Sequence, residues 1–298
     1  MLDLQYIYSS NDQKPLMSDE RIVGAREFDN RFLFRSYGVT IAVESTQPEM
    51  LRKASELVHR AFGGLVEFFE GKASDAIYSF GIVEEVGLFR LYENGFERTA
   101  GPSESNFFKF LNSALRIKVA ELAEGHIFVH AGAVGWKGKA LVIPGVSHSG
   151  KSTLTAELIR NGAIYYSDEY AVLGADGRLL PFPRYLSIRD RSGRETEIPP
   201  SAFGASQGEE PIPVGMVLLT RFEEGANIIP EVISPGEGIM EIIPNTVTMR
   251  KDPAFSLKVL DLVARRAIMA RGPRGDVKSF AKFLLEFFDI NTKLPKVT

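Results

Sequence analysis

The 298-residue chain contains no cysteine and a single tryptophan. Without a thiol there is no disulfide framework, no thiolate-bound zinc, no iron–sulfur cluster and no cysteine nucleophile. It also lacks a charge excess: 35 Lys and Arg stand against 38 Asp and Glu, a net charge of −3. No global positive field therefore draws in nucleic acid or an anionic membrane, and an anionic ligand must be held locally. No stretch approaches the roughly 18 apolar residues of a membrane span. The opening MLDLQYIYSSNDQKPL has no basic segment followed by an apolar one, so a cytoplasmic protein is expected. What is present is an ordinary globular balance, 44% hydrophobic and 24% charged residues, at a length that suits one large domain or two smaller ones.

Periodicity divides the chain near residue 102. Residues 34–44 alternate around Val39, Ile41 and Val43 and read as a strand. Thr46 to Glu49 (TQPE) reads as a capping box for a helix carrying Leu51, Ala54, Leu57, Val58, Ala61 and Phe62, stopped by Gly63-Gly64. Apolar runs at 65–69, 76–83 and 87–92 read as strands, the last closed by the hairpin dipeptide Asn94-Gly95. Residues 1–102 thus form an expected small α+β domain without a phosphate or metal motif.

From Ser103 a long helix carries Phe107, Leu111, Leu115, Val119 and Leu122. Two strands follow, HIFVHAGAV and ALVIPG, around the turn GWKGK. The polar stretch 201–210 reads as a mobile loop, Ser234 to Glu237 as a second capping box with Pro235 at the first helical position, and 256–270 and 276–288 as helices. The second expected domain is 103–298, with nucleotide binding inside it and an α/β (α+β) fold class overall.

Residues 145–152, GVSHSGKS, satisfy G-x-x-x-x-G-K-[ST], a match that arises by chance roughly once in a hundred chains of this length. The motif follows the apolar run Ala140–Ile143 and precedes a helix bearing Leu154, Leu158 and Ile159, the strand–loop–helix order its chemistry requires. Gly145 and Gly150 let the backbone curl, so that the N–H groups of Val146, Ser147, His148 and Ser149 and the helix N-terminus point at phosphate oxygens. Lys151 is expected to reach the β- and γ-phosphates of ATP, Ser152 to meet Mg²⁺ and Thr153 the α-phosphate. His148 occupies a variable position and is expected to be an exposed loop residue. The run ending in Asp168-Glu169 lies on the next strand and supplies carboxylates for Mg²⁺. Adjacent strand residues face opposite ways, so both can serve only if the strand ends or bulges there.

Residues 130–173, HAGAVGWKGKALVIPGVSHSGKSTLTAELIRNGAIYYSDEYAVL, resemble the kinase core of the HPr kinase/phosphorylase family, which is structurally akin to phosphoenolpyruvate carboxykinases. The matching positions are His130, Gly145, Gly150, Lys151, Ser152 and Asp168. The segments PFPRYLSIRD, VGMVLLTRFEEGA and SPGEGIMEII further resemble a divergent branch of HPr-kinase-related proteins. The resemblance implies a P-loop kinase core, ATP and Mg²⁺, Asp168 as the base and a place for His130 near the γ-phosphate. Glu169 departs from it, standing where the family commonly has Asp. No equivalent of the family's distal substrate-handling signature is found, and the N-terminal unit does not resemble the family's regulatory domain. HPr itself is therefore not the expected acceptor.

These readings lead to an ATP-dependent kinase acting on a hydroxyl, either a serine of a peptide or protein or a small serine-like molecule. A non-transferring ATP-binding regulatory module and a nucleoside-triphosphatase are the alternatives. Arg184 and Arg189 in PRYLSIRD are candidates to clamp phosphate or acceptor through bidentate hydrogen bonds. Self-association is left open.

Overall fold

The structure is a computed structural model, and it describes residues 26–145, 149–189, 195–204, 206–226 and 229–293. The segment read as one strand at 34–44 is a hairpin. Strands β1 (Asn30–Ser36) and β2 (Val39–Ser45) pair antiparallel around Tyr37-Gly38, both at positive φ, which matches the turn to the twist of its strands. Helix α1 (Pro48–Ala61) begins with Gln47 at its cap, and the capping box expected at 46–49 does not form. The Gln47 side chain instead bonds both the carbonyl and the N–H of Glu84, while Ser45 Oγ accepts the Gln47 N–H. Those bonds tie the start of α1 to the sheet.

Strands β3 (Glu67–Phe69), β4 (Tyr78–Glu85), β5 (Leu88–Glu93) and β6 (Phe96–Gly101) complete a six-stranded sheet in the order β3-β1-β2-β4-β5-β6. Only β2 and β4 run parallel, and α1 is the crossover that parallel pairing needs. Helix α2 (Glu104–Leu122) starts at Ser103, whose hydroxyl accepts the Asn106 N–H. One cluster joins Phe107, Leu111, Leu115 and Val119 of α2 to Ala54 and Val58 of α1 and to Phe34, Ile41, Phe80 and Leu91 of the sheet. The same cluster takes in Phe128, Tyr170, Val172 and Phe182 from further along the chain, so the core runs across the expected boundary at 102/103.

The second sheet uses β7 (His126–Trp136), β8 (Lys139–Pro144), β9 (Ile164–Ser167), β10 (Tyr170–Gly174), β11 (Arg178–Leu180), β14 (Ile212–Leu219), β15 (Glu231–Val232) and β16 (Ile268–Arg271), while β12 (Leu186–Arg189) and β13 (Glu195–Ile198) form a separate hairpin. The order is β11-β10-β7-β8-β14-β16-β15, with β8, β14 and β16 parallel. A further pairing of β11 with β14 closes five of these strands into a ring. Helices α4 (Pro235–Ile242) and α5 (Pro253–Arg266) cover one face, where Ile242, Val259 and Val263 meet Val129, Val142 and Val217. Helices α3 (Lys151–Arg160) and α6 (Val277–Lys293) cover the other, where Leu154, Leu158, Leu284 and Phe288 meet Leu141, Ile143, Met216 and Leu218. Near the C-terminal end of α3, the Trp136 indole N–H donates to Asp289 on α6 at 3.0 Å, and the Trp136 ring faces Gly162.

Two expectations are corrected here. The helix read over 256–270 stops at Arg266, because Ile268–Arg271 is a strand between β14 and β15; a short apolar run satisfies both periodicities, and the place in the sheet decides. The 201–210 stretch, read as a mobile loop, is tied down over its described part. Residues 200–203 form a 3₁₀ turn, Ser206 and Gly208 bracket Tyr165 with backbone hydrogen bonds, and the Tyr166 hydroxyl donates to Glu210 O. The second capping box does form, between Ser234 and Glu237.

The shared core carries a test. Starting the chain at 103 would uncover surface on Phe107, Leu111, Leu115, Val119, Phe128, Tyr170 and Phe182, all buried in the whole chain. At about 1.5–3 kcal/mol for each large apolar side chain, that loss is comparable to the roughly 5–15 kcal/mol by which a domain is stable. The 103–298 fragment is expected to aggregate or to melt without a cooperative transition. A monomeric fragment with a sharp calorimetric transition would show that the second sheet stands without the first.

Candidate functional site

The carboxyl ends of the parallel strands are where α/β sheets leave room for ligands, and the motif residues gather there. Strand β8 ends at Pro144, Gly145 follows, and α3 begins at Lys151 with Gly150 as its N-cap at φ 80°. Among the described residues no side chain caps this helix, and its first turn carries no acid, which leaves the positive end of the helix to a ligand. Val146, Ser147 and His148 lie outside the described residues. Ser152 is partly buried and Thr153 exposed on the first turn.

Lys151 is 7% exposed, and its ammonium donates to Gly145 O at 2.6 Å. Burial pulls it down to about 8, against the attraction of Asp168 and with repulsion from Arg274. Asp168 is also 7% exposed; its Oδ2 accepts the Ser187 N–H at 3.2 Å, and its side chain is hydrogen-bonded to Ser152. Burial raises the Asp168 carboxyl to about 6, opposed by the Ser152 bond, Arg184, the Ser187 N–H and Lys151. An ammonium and a carboxylate are thus both held out of water, each pushed toward its neutral form.

The Asp168-Glu169 pair sits at a break in pairing. Strand β10 pairs β7 up to Tyr170 opposite His130, and β9 pairs β7 from Ser167 opposite Ala133. Between them Ser167 Oγ accepts the N–H groups of Glu169 and Tyr170, and Ala131 N–H donates to Glu169 O. This turn sends the two carboxylates to different partners. Asp168 faces α3, whereas Glu169 is gripped by Arg184 and by Arg116 of α2, the latter at 3.1 Å. Glu169, a candidate Mg²⁺ ligand from the sequence, is therefore neutralised by two guanidinium groups.

Arg184 is 7% exposed, pairs with Glu169 and Glu197, and is pulled down to about 10 chiefly by burial. Its charge goes to protein carboxylates rather than to an open phosphate position. Arg189 lies in β12, and its side chain is outside the described residues. His130 is partly buried in β7, its carbonyl accepting the Gly145 N–H and its ring 6.1 Å from that of Tyr170. Burial, with Lys151, Arg116 and Arg184 nearby, pushes its imidazole down to about 3. It is consequently neutral near pH 7, a donor or acceptor but not a cation.

Two arginines joined here were not singled out in the sequence. Arg274 leaves the carboxyl end of β16, is 3% exposed, and donates from Nη2 to Ser149 O at 2.7 Å. The φ of Gly150 favours glycine, and a Cβ there would lie 2.3 Å from that nitrogen and displace the guanidinium. Burial lowers the Arg274 guanidinium, and among the described residues no carboxylate lies within ion-pair distance of it. The only hint in the sequence was an arginine in a Gly-Pro-Arg-Gly turn after an apolar run, hidden once that run was taken as helix. Arg116 gave no hint at all. Arg116 and Arg184 are answered by Glu169 and Glu197, whereas Lys151 and Arg274 stand by the single carboxylate of Asp168, which leaves one positive charge in excess at the start of α3.

Ser149 Oγ, Thr155 Oγ1, Asp168 Oδ1 and Thr220 Oγ1 are buried in this region without a hydrogen-bond partner among the described residues. Thr155 lies one turn beyond Lys151, and Thr220 directly follows β14. Unsatisfied buried groups are rare and costly, and their concentration beside a helix N-terminus with excess positive charge fits a polar anionic ligand. The oxygen donors Asp168 and Ser152 fit Mg²⁺ in kind. Among the described residues no group of three or more His, Asp or Glu side chains could hold a metal by itself, and no helix is long and apolar enough to cross a membrane.

No family model and no curated protein matches the chain. Among solved structures, the HPr(Ser) kinase/phosphatase from Coxiella burnetii is similar over 56% of this chain and 99% of that one, at 15% identity and a TM-score of 0.33. A likeness of that degree is distant, and the reading of the site rests on its own residues.

Proposed function

We propose that the chain is an ATP-dependent kinase that transfers the γ-phosphoryl group to a hydroxyl, borne by a serine of a peptide or protein or by a small serine-like molecule. The observation that carries this reading is the burial of Lys151 and Asp168 within electrostatic reach of each other at the start of α3, with Asp168 Oδ1 without a hydrogen-bond partner among the described residues. A site that only bound nucleotide could use this carboxylate for Mg²⁺ but would have no need of it as a proton acceptor, and transfer to an acceptor is what separates the two readings. Phosphoryl transfer asks little covalent work of a protein; positioning and charge stabilisation carry it.

In the proposed reaction the acceptor oxygen forms its bond to the γ-phosphorus as the bond to the ADP oxygen breaks. The ADP oxygen keeps the electron pair, and the acceptor proton passes to Asp168 Oδ1. A carboxyl near 6 is mostly ionised at pH 7 yet still basic enough to take that proton. Lys151 and Arg274 meet the charge on the phosphates. Mg²⁺, held by Ser152 and Asp168, would supply further neutralisation of phosphate charge when bound.

The test uses the full chain with γ-labelled ATP and Mg²⁺, free serine, and a panel of seryl peptides, alongside calorimetry of ATP and ADP binding. Labelled phosphoserine with ADP release is the expected outcome. Tight binding without transfer to any acceptor, and without hydrolysis, would replace the kinase by a regulatory nucleotide module.

A further inference from the structure

We propose that Arg116 is a positioning residue for Asp168, through which the first sheet and its helices set the geometry of the phosphate site. This rests on the kinase reading above and goes beyond it, because Arg116 belongs to α2, whose apolar side shares one core with α1 and the first sheet. Its own guanidinium is 7% exposed and fixed at both ends: Nη1 donates to Asn112 one turn earlier on α2, at 2.9 Å, and Nη2 lies 3.1 Å from Glu169 Oε1.

Glu169 is the second residue of the turn that presents Asp168. Its carbonyl is held by Ala131 N–H, its N–H by Ser167 Oγ, and its carboxylate by Arg116 and Arg184. Both peptide groups of Glu169 are thus held, directly beside the Asp168 carboxylate that meets Ser152 and Ser187. Arg116 is the one member of this clamp supplied by α2. Other contacts bring the first sheet to the same place: Tyr37 donates to Pro181 O, and a Cβ on Gly63 would lie 2.5 Å from Pro183 O, directly before Arg184. The β1–β2 turn, the end of α1 and the middle of α2 thus all abut the segments that carry Glu169 and Arg184.

Removing Arg116 leaves the Glu169 carboxylate with one guanidinium instead of two and frees the turn. Lys151, Gly150 and Arg274 are not touched. The effect should therefore fall on turnover and spare nucleotide affinity. In the full chain, Arg116→Met is expected to lower kcat about tenfold while the Kd for MgADP changes less than twofold. Arg116→Lys, which keeps the charge but not the forked geometry, should recover part of the loss.

A general loss of packing would lower kcat in any background, so the deciding measurement is a double-mutant cycle with Asp168→Asn. If Arg116 acts through Asp168, Arg116→Met adds little once Asp168 is asparagine, and the two unfolding free energies are likewise non-additive. Losses that multiply in turnover and add in stability overturn the proposal, as does unchanged turnover in Arg116→Met. Should Arg116→Met fail to fold, Glu169→Gln enters the cycle in its place, with the same two outcomes. A parent chain that binds no MgADP overturns the kinase reading instead, and the cycle read on unfolding then decides the positioning role without nucleotide.

Discussion

Replacing Asp168 by asparagine is expected to cut phosphoryl transfer by about 10²–10⁴, the usual worth of a positioned general base, while leaving nucleotide affinity within a few fold. The side-chain volume and one carbonyl oxygen remain; the proton acceptor does not. The same substitution should make the ligand-free protein more stable at neutral pH. A carboxyl raised from 3.8 to about 6 in the folded chain contributes stability that is fully present below about pH 4 and is lost as pH rises through about 6. Above pH 7 the ionised group costs about 2–3 kcal/mol relative to its unfolded state, and the asparagine variant escapes that cost. Denaturant melts at pH 8 should favour the variant, and the advantage should vanish by pH 4. Turnover of the parent should decline below about pH 6 as Asp168 gains its proton. A variant that transfers phosphate at the parental rate, or that melts earlier at pH 8, would remove Asp168 from its assigned role.

The second large effect belongs to Lys151. Substitution by methionine keeps the length and removes a charge-assisted contact worth about 1.5–3 kcal/mol, so affinity for MgATP and MgADP should drop about ten- to a hundredfold. Here too the ligand-free protein should gain. A lysine pulled down to about 8 lends stability above its unfolded value near 10.5, and that stability is lost as pH falls through about 8. At pH 7 the buried ammonium opposes folding until phosphate answers it. Calorimetry would read the affinity and thermal melts the stability. Equal affinity in parent and variant would show that the 145–152 loop holds something other than nucleotide phosphate.

The strand that ends at Pro144 and the helix that begins at Lys151 were legible because the signals for both are local, an apolar run before two glycines and a helical period after them. Ser103 and the Ser234–Glu237 box were legible for the same reason, each cap being completed within three residues. What escaped depends on neighbours distant in sequence. Residues 34–44 alternate whether or not the chain turns at Tyr37-Gly38. Ile268–Arg271 has too few residues to reveal its period, and only β14 beside it makes it a strand. Arg274 and Arg116 reach the site across 125 and 53 positions, to Ser149 and Glu169. Arg184 and Glu169 were noticed one by one for phosphate and metal, whereas their mutual ion pair is a product of folding.

The one tryptophan gives the second sheet an optical reporter with a known address. Trp136 is partly buried where the C-terminal end of α3 meets α6, its indole bonded to Asp289. Emission excited where indole absorbs and the phenol rings do not therefore comes from a single ring, at the far end of α3 from Lys151. A rigid tilt of α3 on filling its N-terminal end would move Gly162 against that ring, and a change confined to the loop would leave the emission untouched. Steady-state fluorescence can thus distinguish a helix that moves as a lever from a loop that closes alone.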